Sequence, residues 1–103
     1  MDVLLHAIAE PRRRRILTLV RGRELTAGEI ASNFEVTRPA ISQHLKVLRE
    51  AGLVSERRQG TRRYYSARPE GLRELRAFLA EFWDERLDLL RETAEAEEER
   101  RNP

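Results

Sequence analysis

Two threonines, Thr26 and Thr37, each stand directly before an apolar pattern of helical period, and very little chain separates the two patterns. Thr26 is followed by Glu29 at capping-box spacing, where the hydroxyl accepts from a first-turn N–H and the carboxylate reaches back to the threonine N–H. Thr37 is followed by Pro39, whose fixed φ and missing N–H suit a first helical turn. Two starts this close dictate two short helices joined by a tight turn and packed across one another, a helix-turn-helix. In the first, Leu25, Ala27, Ile30, Ala31 and Phe34 supply the apolar contacts. In the second, Ile41, Leu45 and Leu48 recur at helical spacing and face the core, flanked by Val47. Ala40 is small enough for close approach to the preceding helix, and Gly52 sits where a left-handed residue stops a helix.

The period then changes. "LVSERRQGTRRYYSA" holds two strand-like runs around Gln59-Gly60-Thr61, which reads as a hairpin with glycine at its tip. Leu53, Val54, Tyr64 and Tyr65 anchor the strands, with one tyrosine ring in the core and the other outside. Upstream, "DVLLHAIAE" reads as a short helix capped by Asp2, with His6 in its packing. "PRRRRILTLVRG" reads as a second helix, opened by Pro11, ended at Gly22, and presenting Ile16, Leu17 and Val20 on one face. Downstream, Pro69 opens a helix expected to run to about Arg100, a length of ~45 Å at ~1.5 Å per residue. Leu72, Leu75, Leu79, Phe82, Trp83, Leu87 and Leu90 stripe its first two-thirds. The tail beyond has no large apolar residue and is expected to fray into solvent.

The outer side of the second capped helix is more polar than packing requires. "TRPAISQHLKVLREAGLV" gathers Arg38, Ser42, Gln43, His44 and Lys46. A helix fits the major groove of duplex DNA, and its N-terminal residues reach the base edges. Arg38 suits the acceptors of a guanine, Gln43 an adenine, and Ser42 a base or phosphate. Specificity is therefore expected in Arg38, Ala40, Ser42 and Gln43, with Thr37, Pro39, His44 and Lys46 positioning the helix. In the hairpin, Arg57, Arg58, Arg62 and Arg63 with Gln59 surround the glycine tip. Four arginines there repel one another, and an external polyanion offsets that repulsion through counterion release. Of the run Arg12 to Arg15, pointing in four directions, some are expected to pair with Glu10 and others to touch the DNA backbone. Up to Arg68 basic residues outnumber acidic ones two to one, and beyond it acidic residues dominate, although the formal net charge is only +2. Such a split suggests a polyanion-facing front and a tail that faces elsewhere.

Other functions find less support. The chain has no cysteine, which excludes a disulfide framework and a thiolate metal site. Its two histidines, His6 and His44, have no accompanying ligands at zinc spacing, so neither metal nor cofactor is expected. Ser42 has no acid–base partner and no glycine-rich phosphate loop occurs, so an enzyme is not expected. No apolar run is long enough to span a membrane, and residues 2–9 are too short and too acidic at their start for a signal peptide, so a cytoplasmic protein is expected.

The first and last helices carry more apolar surface than so small a core can cover. A two-fold dimer is the economical solution, with Val3, Leu4, Leu5 and Ile8 packing with the stripe Leu72, Leu75, Leu79, Phe82, Trp83, Leu87 and Leu90. The expected architecture is one domain over 1–103, mainly α with a small β-hairpin: a dimeric winged helix-turn-helix. Its parts are the helix-turn-helix over 26–51, the wing over 53–67, dimerisation helices over 1–10 and 69–92, and a frayed tail over 93–103.

The stretches "AIAEPRRRRILTLV", "ELTAGEIASNF", "TRPAISQHLKVLREAGLV" and "RRQGTRRYYSA" together resemble the bacterial ArsR/SmtB family of winged-helix transcriptional repressors. "LTAGEIA…F…RPAIS" is most similar to its SdpR-like autorepressor branch. The resemblance implies a homodimeric repressor on double-stranded operator DNA, often that of its own operon, with the first and last helices as the dimer interface. It also exposes departures. Arsenic- and cadmium-sensing members carry thiolates where this chain has Thr26 and Gly28. Zinc-sensing members set histidine among acidic ligands on the last helix, where this chain has only Asp84, Glu85 and Asp88. Metal sensing is therefore not expected, and the remaining alternatives are a sequestering partner protein, an organic effector or simple autoregulation with no inducer. The competing readings are a ligand-responsive sensor repressor and a winged-helix module that docks its basic face on an acidic protein.

Overall fold

The computed structural model describes residues 1–82. Two helices lead, α1 over Asp2–Ala9 and α2 over Pro11–Leu19. A two-residue strand β1, Leu25–Thr26, then runs into helix α3, Ala27–Ala31. Helix α4 covers Arg38–Glu50, strands β2 and β3 cover Val54–Gln59 and Arg62–Ala67, and helix α5 covers Pro69–Ala80. The sheet is antiparallel in the order β1-β3-β2. No helix of the described residues is long and apolar enough to cross a membrane.

The core lies where α2, α3, α4 and the sheet converge. Ile16, Val20, Ile30, Ile41, Leu45, Leu48, Leu53 and Val54 are fully buried, and Tyr65 closes the sheet side. Leu17, Leu25, Ala27, Ala31, Phe34 and Val47 pack partly buried around them. Both caps form as their spacing requires. The Thr26 hydroxyl accepts from the Glu29 N–H at 3.2 Å, and Glu29 Oε1 accepts from the Thr26 N–H at 3.2 Å. The Thr37 hydroxyl accepts from the Ala40 N–H at 3.3 Å, with Pro39 in the first turn.

The far end of α4 is a Schellman motif. Gly52, at φ 76°, donates to Arg49 O at 3.0 Å, and Leu53 donates to Leu48 O at 2.9 Å. Leu48 and Leu53 are both buried, which adds the apolar contact such a stop favours. The same turn receives α5: a Cβ on Gly71 would stand 2.1 Å from Gly52 O. Only glycine permits that approach, a constraint that the sequence did not advertise. At the wing tip, Gly60 (φ 62°) opens the two-residue loop between the paired Gln59 and Arg62, where a hairpin turn calls for positive φ.

Several expectations change. Asp2 is the first helical residue and Met1 the cap, with no side-chain capping bond; Asp2 favours the helix only as a negative charge in its first turn. Helix α2 stops at Leu19 with Val20 as its C-cap, and Gly22 (φ 73°) belongs to the turn that follows. The His6 side chain is exposed. Strand β1 was unforeseen, because a two-residue strand carries no periodicity; it forms because the extended backbone before the Thr26 cap pairs with Tyr64 and Tyr65 of β3.

The run Arg12 to Arg15 turns out to be largely structural. The last four carbonyls of α1 have no acceptor role within that helix. Arg13 donates from Nε to Ala7 O at 2.6 Å and from Nη2 to His6 O at 2.9 Å. Arg14 donates from Nη1 to Ile8 O at 2.7 Å and Ala9 O at 3.1 Å. Two guanidiniums therefore satisfy all four carbonyls at the negative end of α1, where a cation is also favoured by the helix dipole. Arg12 pairs loosely with Glu10 at 3.7 Å, and Arg15 lies over the Phe34 ring at 4.7 Å.

The apolar surplus of α1 is smaller than expected. Leu4 is buried in the chain's own core, and Ile8 packs partly buried against that core. Val3 and Leu5 do remain exposed. On α5 no residue is buried: Leu72 and Leu79 are exposed and Leu75 and Phe78 half-buried, while Phe82, two residues past the end of the helix, is exposed as well. Phe78, absent from the expected stripe, meets Phe82 edge-on at 5.2 Å. Trp83, Asp84, Glu85, Leu87, Asp88, Leu90 and the tail over 93–103 lie outside the described residues.

Candidate nucleic-acid interface

Helix α4 divides its side chains by spacing. Ile41, Leu45 and Leu48 turn inward, so Ser42, Gln43, Lys46 and Arg49 turn outward with Pro39. Those five line one groove with Arg63 and Tyr65 of β3. A second cleft, about 550 Å³, lies between the start of α3, the start of α4 and the wing tip. Thr26, Glu29, Arg38, Ser42, Arg62 and Arg63 contribute to it. The two clefts share Ser42 and Arg63, so the helix and the wing form one continuous surface rich in cationic donors.

The expected site residues divide accordingly. Pro39, Ser42, Gln43, Lys46 and Arg63 converge on the α4 groove. Arg38 does not reach along it; its Cζ packs over Gly28, 3.8 Å from where a Cβ would be, at the mouth of the second cleft. Thr37 is committed to the cap, and Ala40 is half-buried. His44 is turned away from the groove, toward α2. Its Nδ1 lies 3.4 Å from Arg13 Nη1 and its Nε2 3.9 Å from Glu10 Oε2. Helical spacing explains this, because His44 follows Ile41 by three and precedes Leu48 by four, both inward positions.

Strand register sorts the wing. Glu56, Arg58, Arg63 and Tyr65 share the face toward α4, while Arg57, Gln59, Arg62 and Tyr64 belong to the other. Arg57 is held there by Glu24 at 2.8 Å and Gln59 at 2.9 Å, and its guanidinium covers the Tyr64 ring at 4.7 Å. It does not converge with α4. Arg62 sits at the tip and still lines the second cleft. The repulsion expected among the four wing arginines is partly offset within the fold, since Arg57 pairs with Glu24 and Arg63 with Glu56 at 3.5 Å. Among the described residues Arg58 and Arg62 have no ion pair.

Two participants were missed. Arg49 extends the outward row of α4 by one turn, and Glu56 on β2 bonds it. The spacing of Arg49 from Lys46 was readable; the Glu56 contact was not, because it depends on where the sheet docks. Glu29 has its carboxyl held below the ordinary 4.5, first by the Thr26 N–H, then by the Thr26 hydroxyl, with the charges of Arg62 and Arg23 adding to this. Among the described residues no cluster of three or more His, Asp or Glu is arranged to hold a metal ion.

Residues 10–56 match the family model described as bacterial regulatory protein, arsR family. The chain is 44% identical over 66 residues to the transcriptional repressor SdpR of Bacillus subtilis, covering 64% of this chain and 73% of that protein. The chain belongs to the ArsR family. It is also 48% identical over 77 residues to the HTH-type transcriptional regulator Rv2034 of Mycobacterium tuberculosis, covering 75% of this chain and 72% of that one. A crystal structure described as a possible transcriptional regulator for arsenical resistance superposes with a TM-score of 0.73 at 48% identity. That superposition covers 84% of this chain and 91% of the other. This ArsR-family member is thus a DNA-binding transcriptional regulator with a winged helix-turn-helix fold. Its matched region runs from the Glu10 cap of α2 into the wing at Glu56, and so contains every α4 groove residue except those of β3.

Proposed function

We propose that the chain acts as a homodimeric, autoregulatory repressor on an inverted-repeat operator in the cytoplasm, without metal sensing and without catalysis. The observation that carries this is the single groove in which Ser42, Gln43 and Lys46 of α4 lie beside Arg63 of the wing. An α-helix carrying amide, hydroxyl and ammonium groups matches the major groove, where Gln43 pairs with an adenine edge and Ser42 with a base or phosphate. Lys46, Arg58, Arg62 and Arg63 supply phosphate contacts on either side. Arg38, packed over Gly28 in the second cleft, is assigned to the backbone too, and no longer to guanine.

Exposure supports the homodimer. Val3 and Phe82 keep 60% and 61% of their surface accessible, and Leu79 keeps 48%. The N-terminal ammonium lies 3.7 Å from a Glu74 carboxylate oxygen, which brings the start of α1 close to α5. Two-fold pairing of these faces buries Val3, Leu5, Leu72, Leu79 and Phe82. It also presents two α4 helices to half-sites about one duplex turn apart, ~34–36 Å. Repression draws support from the similarity to SdpR, named a transcriptional repressor.

Selection of bound duplexes from a random pool tests the reading. The expected result is a two-fold motif with half-sites about one helical turn apart. An enriched motif without symmetry removes the homodimer, and no enrichment at all removes sequence-specific DNA binding.

A further inference from the structure

Beside the groove between α4 and the wing, an acid is placed against two of the cations that line it. Glu56 stands on β2 opposite Tyr65, on the face toward α4, and its side chain keeps only 18% of its surface accessible. One carboxylate oxygen, Oε2, accepts from Arg49 Nη1 of α4. The other, Oε1, lies 3.5 Å from Arg63 Nε of β3. Arg49 and Arg63 both line the groove that holds Ser42, Gln43 and Lys46. A single carboxylate thus spans from the recognition helix to the wing and draws down the charge of two guanidiniums at the DNA-facing surface.

Building on the DNA-binding reading, we propose that Glu56 is a specificity-determining positioning residue. It fixes the angle between α4 and the wing, and it withholds Arg49 and Arg63 from the phosphates of arbitrary sequence. Affinity for non-cognate duplex is set by how many phosphates a protein neutralises. Two arginines committed to Glu56 are two contacts that non-specific DNA must compete for. On a cognate site, base contacts from Ser42 and Gln43 hold the duplex close enough for phosphate to displace the carboxylate. The device discriminates by penalising the wrong partner more than by attracting the right one.

The test compares wild type with Glu56→Gln on a random-sequence duplex and on a selected site, between 50 and 200 mM salt. Each phosphate contact contributes about −0.9 to the slope of log affinity against log salt. Glu56→Gln is expected to bind random duplex more tightly at low salt, with a slope steeper by about one unit per released arginine. Over that fourfold salt range its advantage then shrinks about 3.5-fold per added contact. Its ratio of specific to non-specific affinity falls, and adding Arg49→Gln returns the slope toward wild type. If Glu56→Gln does not fold, Glu56→Asp carries the same test, because a carboxylate shorter by one methylene releases one of the two arginines and steepens the slope by about one unit. A folded variant with the wild-type slope and ratio overturns the proposal. Wild type that ignores duplex at 50 mM salt instead refutes the DNA-binding reading on which it rests.

Discussion

Arg12 and Arg13 are neighbours of identical chemistry, yet truncating each to alanine should have very different consequences. The Arg13 side chain is buried beneath α1, and its guanidinium donates to Ala7 O at 2.6 Å and His6 O at 2.9 Å. Hydrogen bonds from a charged donor are worth ~1.5–3 kcal/mol each, and removal leaves two helix-end carbonyls without a partner. The His6 carbonyl regains water more readily than that of Ala7, so the lower part of the summed range applies, about 3 kcal/mol. Arg12 forms only an exposed pair at 3.7 Å with Glu10, for which ~0.5 kcal/mol or less is expected. Urea unfolding of both variants at one fixed protein concentration measures the contrast, since a dimer's stability depends on concentration. Arg13→Lys should recover only part of the loss, because an ammonium lacks the planar fork that reaches two carbonyls. If Arg13→Ala and Arg12→Ala unfold within about 0.5 kcal/mol of one another, the reading of the arginine run as a helix terminator is refuted.

Arg38→Ala should weaken binding to cognate and random duplex by a similar factor and lower the salt slope by about one unit; a changed base preference would show that Arg38 reads a base. Gly71→Ala places a methyl 2.1 Å from Gly52 O, so it should cost ~1–3 kcal/mol by unfolding and weaken assembly as α5 shifts; a variant that melts and assembles like wild type contradicts that close approach. Glu29 has a depressed carboxyl, so its contribution is complete above the ordinary 4.5 and is lost as pH falls below that through the folded value. Wild type should accordingly lose more stability than Glu29→Gln on acidification from about pH 5 to about pH 3, and parallel losses in an unfolding series would remove the capping box as the cause.

Legibility followed the range of the interactions. Thr26 with Glu29, Thr37 with Pro39, and Gly52 were readable because a cap or a stop is decided within four residues of itself. Burial of Ile41, Leu45 and Leu48 was readable from spacing alone, and the inward turn of His44 followed from the same spacing although its polar character suggested otherwise. Strand alternation likewise separates Arg57 from Arg63, but the four arginines read as one basic cluster until a register placed Arg57 beside Glu24. Contacts that depend on how elements dock gave no local signal. The arginine run becomes a terminator only because α1 ends directly above α2, and Glu56 becomes a bridge only because the wing returns to α4. Leu4 looked like interface for the same reason: helical spacing reports an apolar face and not which partner covers it.

Operator binding as proposed requires paired α4 and wing surfaces to grip one duplex. Sedimentation of the protein titrated with a single selected duplex measures this directly. Two chains per duplex, with log affinity falling linearly as log salt rises, is the predicted result. One chain per duplex, or binding indifferent to salt, would contradict it.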